Sequence, residues 1–212
     1  MRLVVFGPQG AGKGTQGKRI AEKLGVPAIA TGDIFRWAIS SGTELGDKVK
    51  EYVESGRLVP NELTIQVVGE RLSADDARSG FLLDGFPRNI EQAEALDRIL
   101  EQQGARLDAA LALEVPEEIS LRRITGRRVC TNCGRNYHVD APPQSNWTCD
   151  TCGGNVTRRF DDEANEKVRE RLRLYHEQTE PLKQHYADRG LLKEVDGVGT
   201  MDEVFDRIVA VL

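Results

Sequence analysis

The sequence predicts an α/β fold, a five-stranded parallel sheet flanked by helices, and three observations predict it. Short apolar β-type runs alternate with helical patterns along the 212 residues, the order of a parallel sheet covered on both faces. The first run opens straight into a glycine-rich loop and then a helix, which is the setting of a phosphate-binding loop. Residues 126–165 interrupt the alternation: aliphatic side chains nearly vanish there, and Cys, Gly, Asn, Pro and Arg replace them.

The elements follow in order. Leu3-Val4-Val5-Phe6 is the first strand, and residues 13–24 form a helix with Ile20, Ala21 and Leu24 on one side and Gly25 as its stop. Residues 26–30 read as a second strand. Thr31-Gly32-Asp33-Ile34-Phe35-Arg36 leads into helical material as far as Tyr52 and Val53, closed by Ser55-Gly56. Leu58-Val59-Pro60-Asn61 is a hinge into a helix with Leu63, Val67 and Leu72 apolar. Phe81-Leu82-Leu83 is a buried strand ending in Asp84-Gly85-Phe86-Pro87-Arg88. Asn89 then caps a helix whose Ile90, Ala93, Leu96 and Leu100 share a face. Residues 109–115 form the fourth strand and 117–124 a short helix. From Val168 the positions Leu172, Tyr175, Thr179, Leu182 and Tyr186 recur at three and four, predicting one long amphipathic helix. Residues 191–195 are the fifth strand, and Thr200-x-x-Glu203 is a capping box for a last helix through Val204, Ile208 and Val211.

The glycine loop carries the first chemical statement. In Gly7-Pro8-Gln9-Gly10-Ala11-Gly12-Lys13-Gly14-Thr15, glycines let backbone N–H groups converge on anionic oxygens, and the helix start adds unsatisfied donors. Lys13 is placed to reach terminal phosphates and Thr15 to supply a hydroxyl on the Mg²⁺ side. The pattern departs from G-x-x-x-x-G-K-[ST] in one respect, because Gly14 stands between the lysine and the hydroxyl.

Composition narrows the partners. Net charge is −5, which disfavours a generic affinity for nucleic acid or an anionic membrane. No apolar run is long enough to span a bilayer and no signal-peptide pattern opens the chain, so a cytoplasmic protein is expected. Arginine outnumbers lysine 21 to 8, and ten arginines lie between Arg122 and Arg173, which suggests a focused anion site. All four cysteines fall in the composition break, as Cys130-x-x-Cys133 and Cys149-x-x-Cys152 with fifteen residues between the pairs. That is ribbon-type spacing for one Zn²⁺, and four thiolates leave no open position, so the metal is expected to be structural. His138 is a spare candidate and is expected to be a surface residue.

Gly7 to Thr15, Thr31-Gly32-Asp33-x-x-Arg36, Leu82-Leu83-Asp84-Gly85-Phe86-Pro87-Arg88 and Gly126-Arg127-Arg128 together resemble the adenylate kinase family. The cysteine-bearing segment looks like the zinc-bearing lid of some bacterial members, and the resemblance spans essentially the whole chain. It implies a P-loop nucleoside monophosphate kinase core at 1–29, 60–125 and 166–212, an AMP-binding insert at 30–59 and a lid at 126–165. By position it implies ATP contacts at Gly10, Ala11, Gly12, Lys13, Gly14, Thr15, Arg127, Asn136, Tyr137 and Gly199. On the AMP side it implies Thr31, Arg36, the backbone of Arg57, Leu58 and Val59, then Gly85, Phe86, Pro87, Arg88 and Gln92. Arg123 would reach the ATP phosphates, and Arg159 and Arg171 would clamp the transferring group, with Arg158 competing with Arg159 for one place. Phe35 stands where the family usually has a smaller aliphatic residue, and the gap between Arg159-Phe160-Asp161-Asp162 and the Val168 helix is one residue longer than usual.

The implied reaction moves a γ-phosphoryl from MgATP to AMP, giving two ADP. An anionic acceptor needs no strong base, so Asp161 and Asp162 are expected to order the lid through arginine pairs or hydrogen bonds rather than act as acid and base. Alignment and charge neutralisation are what the reaction needs, and Lys13, Arg88, Arg123, Arg159 and Arg171 suit that task. Asp84 would hold the water shell of Mg²⁺, or else cap the turn at Gly85. A monomer is the default. The alternatives are a kinase for another nucleoside monophosphate, a P-loop switch or motor, and a zinc-ribbon nucleic-acid binder.

Overall fold

The computed structural model describes residues 1–159, 162 and 165–212. Strand β1 (Arg2–Phe6) is followed by α1 (Lys13–Leu24), β2 (Ala28–Ala30), α2 (Thr31–Ser40), α3 (Glu44–Ser55) and α4 (Asn61–Leu72). Then come β3 (Phe81–Asp84), α5 (Ile90–Gln102), β4 (Ala109–Glu114) and α6 (Glu117–Gly126). A small sheet of β5 (Arg127–Cys130), β6 (Asn136–His138) and β7 (Val156–Thr157) intervenes. The chain closes through α7 (Asn165–Leu174), a π turn (Tyr175–Thr179), α8 (Leu182–Ala187), β8 (Leu192–Asp196) and α9 (Met201–Val211).

The main sheet is parallel, in the order β2-β3-β1-β4-β8. Connections run to opposite sides of β1, so the loop after β1 sits where the topology diverges, the usual place for a ligand in such sheets. Alternate residues feed two cores. Val4, Phe6, Leu83, Ala110 and Ala112 pack with Leu72, Leu96, Leu100, Leu182 and Tyr186 on one face. Leu3, Val5, Leu82, Leu111 and Leu113 pack with Ile20, Val204 and Ile208 on the other. Burial on both faces is why these strands read as continuous apolar runs. Both side chains of the Thr200/Glu203 capping box are in place at α9.

Two expectations need correction. The helical material after Thr31 is two helices, because Ser41-Gly42 turns the chain and Thr43 caps α3 through its side chain. The expected long helix from Val168 is interrupted: Glu180 N–H donates to Tyr175 O across a π turn, and Pro181, which lacks an N–H, stands at the start of α8. Its face survives the interruption, since Leu172, Tyr175, Thr179, Leu182 and Tyr186 are all buried. Among the described residues, no helix is long and apolar enough to cross a membrane.

Candidate functional site

One cleft of about 1560 Å³ runs between the P-loop, the α2–α3 arm and the small sheet. Its floor is the loop between β1 and α1. Gly12 caps α1 in a left-handed conformation with no side-chain cap, and no acidic residue stands in the first turn. The first backbone donors of α1 therefore remain available to an anion. Gly10 is also left-handed, and a Cβ there would lie 2.5 Å from Ser120 O. Lys13 Nζ donates to Gly7 O and Pro8 O, both at 2.8 Å, so the lysine is folded under its own loop. Burial lowers its pKa to about 8, with Asp84 opposing and Arg88, Arg127 and Arg159 adding to the fall.

Asp84 ends β3 beside the start of α1, where a Cβ on Gly14 would lie 3.4 Å from its Oδ2. Burial pushes its carboxyl up, against the pull of Lys13 and Arg88. A buried carboxylate aimed at the P-loop, with its charge disfavoured, fits a site that a hydrated Mg²⁺ would share.

The second wall joins β2, β3 and the α2–α3 arm. Thr31 Oγ1 donates to Gly85 O at 2.9 Å, and Arg88 Nε donates to the same carbonyl at 2.8 Å. Arg36 pairs with Asp33 at 2.6 Å and covers Gly32. Phe35 is buried against Val49 and Val59, so it widens the apolar packing of the arm as well as lining the cleft. Arg57 pairs with Glu51, and Arg57, Leu58 and Val59 line the cleft. Gln92 is buried at the cleft edge, where its Oε1 accepts from Arg88 N–H at 2.8 Å. The Phe86 ring lies in the core rather than the cleft, and Pro87 lines a smaller pocket behind the loop.

Three arginines from the other side meet at one carboxylate. Asp162 is fully buried and receives Arg127 through a two-pronged contact at 2.7 Å on each oxygen. Arg171 and Arg159 reach the same residue at 3.3 and 3.4 Å. Arg159 is thus turned inward with the cluster, while Arg158 is exposed. Asp162 accordingly orders arginines as expected, and Asp161 lies outside the described residues. Arg123 Nη1 donates to Gly197 O at 3.0 Å and to Gly10 O at 3.4 Å, tying the P-loop to the loop after β8; burial lowers its pKa. Gly199, Asn136 and Tyr137 also line the cleft.

The four cysteines converge. Their sulfurs all lie within 4.8 Å of one another, with Cys130–Cys152 at 3.5 Å and Cys133–Cys149 at 3.6 Å, and all four are free thiols. A tetrahedral ion with Zn–S near 2.3 Å spaces its sulfurs by about 3.8 Å. The cluster fits that ion. Gly134 N–H donates to Cys130 O and Gly153 N–H to Cys149 O, the two knuckle turns. Tyr137 donates its hydroxyl to Cys149 Sγ at 3.4 Å, so this side chain serves the metal cluster as well as the cleft. His138 stands apart from the sulfurs: its Nε2 donates to Arg122 O at 3.3 Å, and it packs so closely on Gly126 that a Cβ there would lie 2.0 Å from the ring.

Some cleft residues gave no signal in the sequence. Trp37 is a largely exposed aromatic on the cleft wall, and Asn61 at the start of α4 accepts hydrogen bonds from Asn89 and from Gln92 at the cleft edge. A single asparagine at a helix start is too common a pattern to mark a site.

The adenylate kinase family model matches residues 5–191. The adenylate kinase of Thermodesulfovibrio yellowstonii is 49% identical over 213 aligned residues, covering 100% of this chain and 99% of that protein. That of Archaeoglobus fulgidus is 50% identical over 100% of this chain and 98% of its own length. That of Carboxydothermus hydrogenoformans is 51% identical over 98% of this chain and 97% of its own.

Proposed function

The chain belongs to the adenylate kinase family, and from that premise we propose that it transfers the γ-phosphoryl of ATP reversibly to AMP, giving two ADP. The observation that carries the reading is the convergence of Lys13, Arg88, Arg123, Arg127, Arg159 and Arg171 on one cleft with two nucleotide-sized walls. Residues 30–59 are the AMP-binding insert and residues 126–165 the lid, on a core of 1–29, 60–125 and 166–212.

The P-loop N–H groups and Lys13 hold the ATP phosphates, and Arg88 with Arg36 holds the AMP phosphate. Asp162 keeps three guanidiniums gathered and offsets part of their charge. A transferring phosphoryl group offers them more charge and a better bidentate geometry than one carboxylate does. Arg159 and Arg171 are thereby held near where negative charge develops. Asp84 would hold the water shell of Mg²⁺, which would supply charge neutralisation at the phosphates. The Cys130, Cys133, Cys149 and Cys152 set would hold Zn²⁺, and a lid fastened in that way would move as one body. Closure of such a lid excludes water, the competing acceptor, as is known for adenylate kinases. Reduced zinc-binding thiols suit a reducing compartment such as the cytoplasm, and the protein acts as a monomer.

A coupled assay with AMP, CMP, UMP and GMP as acceptors tests this. AMP should be strongly preferred. Phosphate release from ATP at the same rate with no acceptor would overturn the reading.

A further inference from the structure

Adenine and the 6-oxopurines present opposite edges. Adenine offers an amino donor beside a ring-nitrogen acceptor, whereas hypoxanthine offers a carbonyl acceptor beside an N–H donor. A glutamine amide matches either edge by turning over, so Gln92 discriminates only if its orientation is fixed.

The structure fixes it at both ends. Arg88 N–H is a backbone donor, so it donates only to the oxygen end of Gln92, at 2.8 Å. The nitrogen end donates to Asn61 Oδ1, also at 2.8 Å. Asn61 is held in its turn, because its Nδ2 donates to the Glu91 carboxylate and its Oδ1 also accepts from Asn89 Nδ2 at 3.0 Å. Asn89 is not free to turn either, since its Oδ1 caps α5 by accepting from Gln92 N–H at 3.0 Å. Turning Gln92 over would set N–H against N–H at Arg88 and oxygen against oxygen at Asn61. Turning Asn61 as well would aim its oxygen at the Glu91 carboxylate.

Each end of the Gln92 amide keeps half its capacity, one N–H and one lone pair. For a base held in one pose such a fixed order pairs with one of the two edges and opposes the other, and on the reading of Gln92 as an AMP contact the edge it pairs with is that of adenine. We infer that Asn61, locked by Glu91 and Asn89, is a positioning residue that sets base specificity by holding the Gln92 amide in the adenine-reading orientation. The inference rests on the reading of Gln92 as an AMP contact and deepens it. Asn61 begins α4, where the chain returns from the α2–α3 arm, so the lock also ties that arm's root to α5.

The test compares kcat/KM for AMP and for IMP at saturating MgATP, alongside the KM for ATP and the thermal midpoint. Asn61→Leu removes the acceptor and should narrow the AMP-over-IMP preference by on the order of tenfold, mainly by raising KM for AMP. The KM for ATP should stay as in the parent protein. Asn61→Asp combined with Glu91→Gln restores an acceptor facing Gln92 and a donor facing position 61, and should recover the preference. Should Asn61→Leu not fold, Asn89→Ser with Glu91→Gln keeps a capping hydroxyl and frees the Asn61 amide to turn. That pair should also narrow the preference. A folded variant of either kind with the parent ratio overturns the inference. Gln92→Leu separates the two claims: an unchanged KM for AMP in that variant would remove the underlying reading of Gln92 itself.

Discussion

The two sheets of this molecule are held by different means. Leu3, Leu82, Leu111 and Leu113 in the five-stranded sheet are buried between layers of helix, and apolar burial suffices there. In the three-stranded sheet the buried cluster is Cys130, Cys149 and Val156, with Tyr137 and Trp147 packed against it. So small a cluster does not offset the cost of ordering the chain around it, and the four converging thiols suit a metal that would supply the rest. On the proposed reading the first sheet is the core and the second the lid, and the cleft is lined from both.

Removing the metal should break the comparison most widely. Structural zinc in small domains is worth about 10–16 kcal/mol in apparent binding energy. Exhaustive chelation, or Cys149→Ser, should therefore abolish hydrogen-exchange protection in β5 to β7 while β1 and β4 keep theirs. Lid protection that survives in metal-free, reduced protein would show that the small sheet needs no ion. Leu111→Ala is the reciprocal cut. It should destabilise the whole protein by about 2–5 kcal/mol in denaturant unfolding and leave zinc stoichiometry at one.

The cleft should respond to neither kind of cut in the same way. Arg88→Ala should lower kcat on the order of 10²-fold, about 2.7 kcal/mol, with little change in thermal midpoint. A raised KM for AMP at normal kcat would assign Arg88 to binding alone.

The smallest effect is a pH dependence. With the Lys13 amine at about 8 in the free protein, most of it is neutral at pH 9. kcat/KM for ATP, which reports the free enzyme, should fall about tenfold between pH 7 and pH 9. A flat profile would mean that Lys13 keeps its charge. Folding has the opposite sign: an unfolded lysine titrates near 10.4. The unfolded chain thus binds the extra proton between about 8 and 10.4, and this group makes stability rise with pH through that window.

Legibility in the sequence follows the same division. The main strands were visible because β1, β3 and β4 are apolar on both faces, and the ends of β4 and β8 fall within a residue of expectation. The cysteine spacing marked the metal cluster, yet β5 to β7 left no periodicity, since short strands around an ion carry little apolar pattern. The face of the Val168 helix was legible, but its π turn was not: the buried face continues past Pro181 while the backbone ladder does not. Asp162 was expected to pair with arginines, and three of them surround it. The Asn61–Gln92 lock was invisible because its members are 31 residues apart and meet only in the fold.

The central claim is that the cleft holds two nucleotides at once. Its most direct test is the affinity of a single ligand with two adenosines joined by a five-phosphate chain, measured by calorimetry against ATP. Once one adenosine docks, the other meets its own site at high effective concentration. The ligand should therefore bind at least on the order of 10²-fold more tightly than ATP, at one per chain, and Arg36→Ala should weaken it while leaving ATP affinity nearly unchanged. Binding no tighter than that of ATP, or unaffected by Arg36→Ala, would contradict the two-site account.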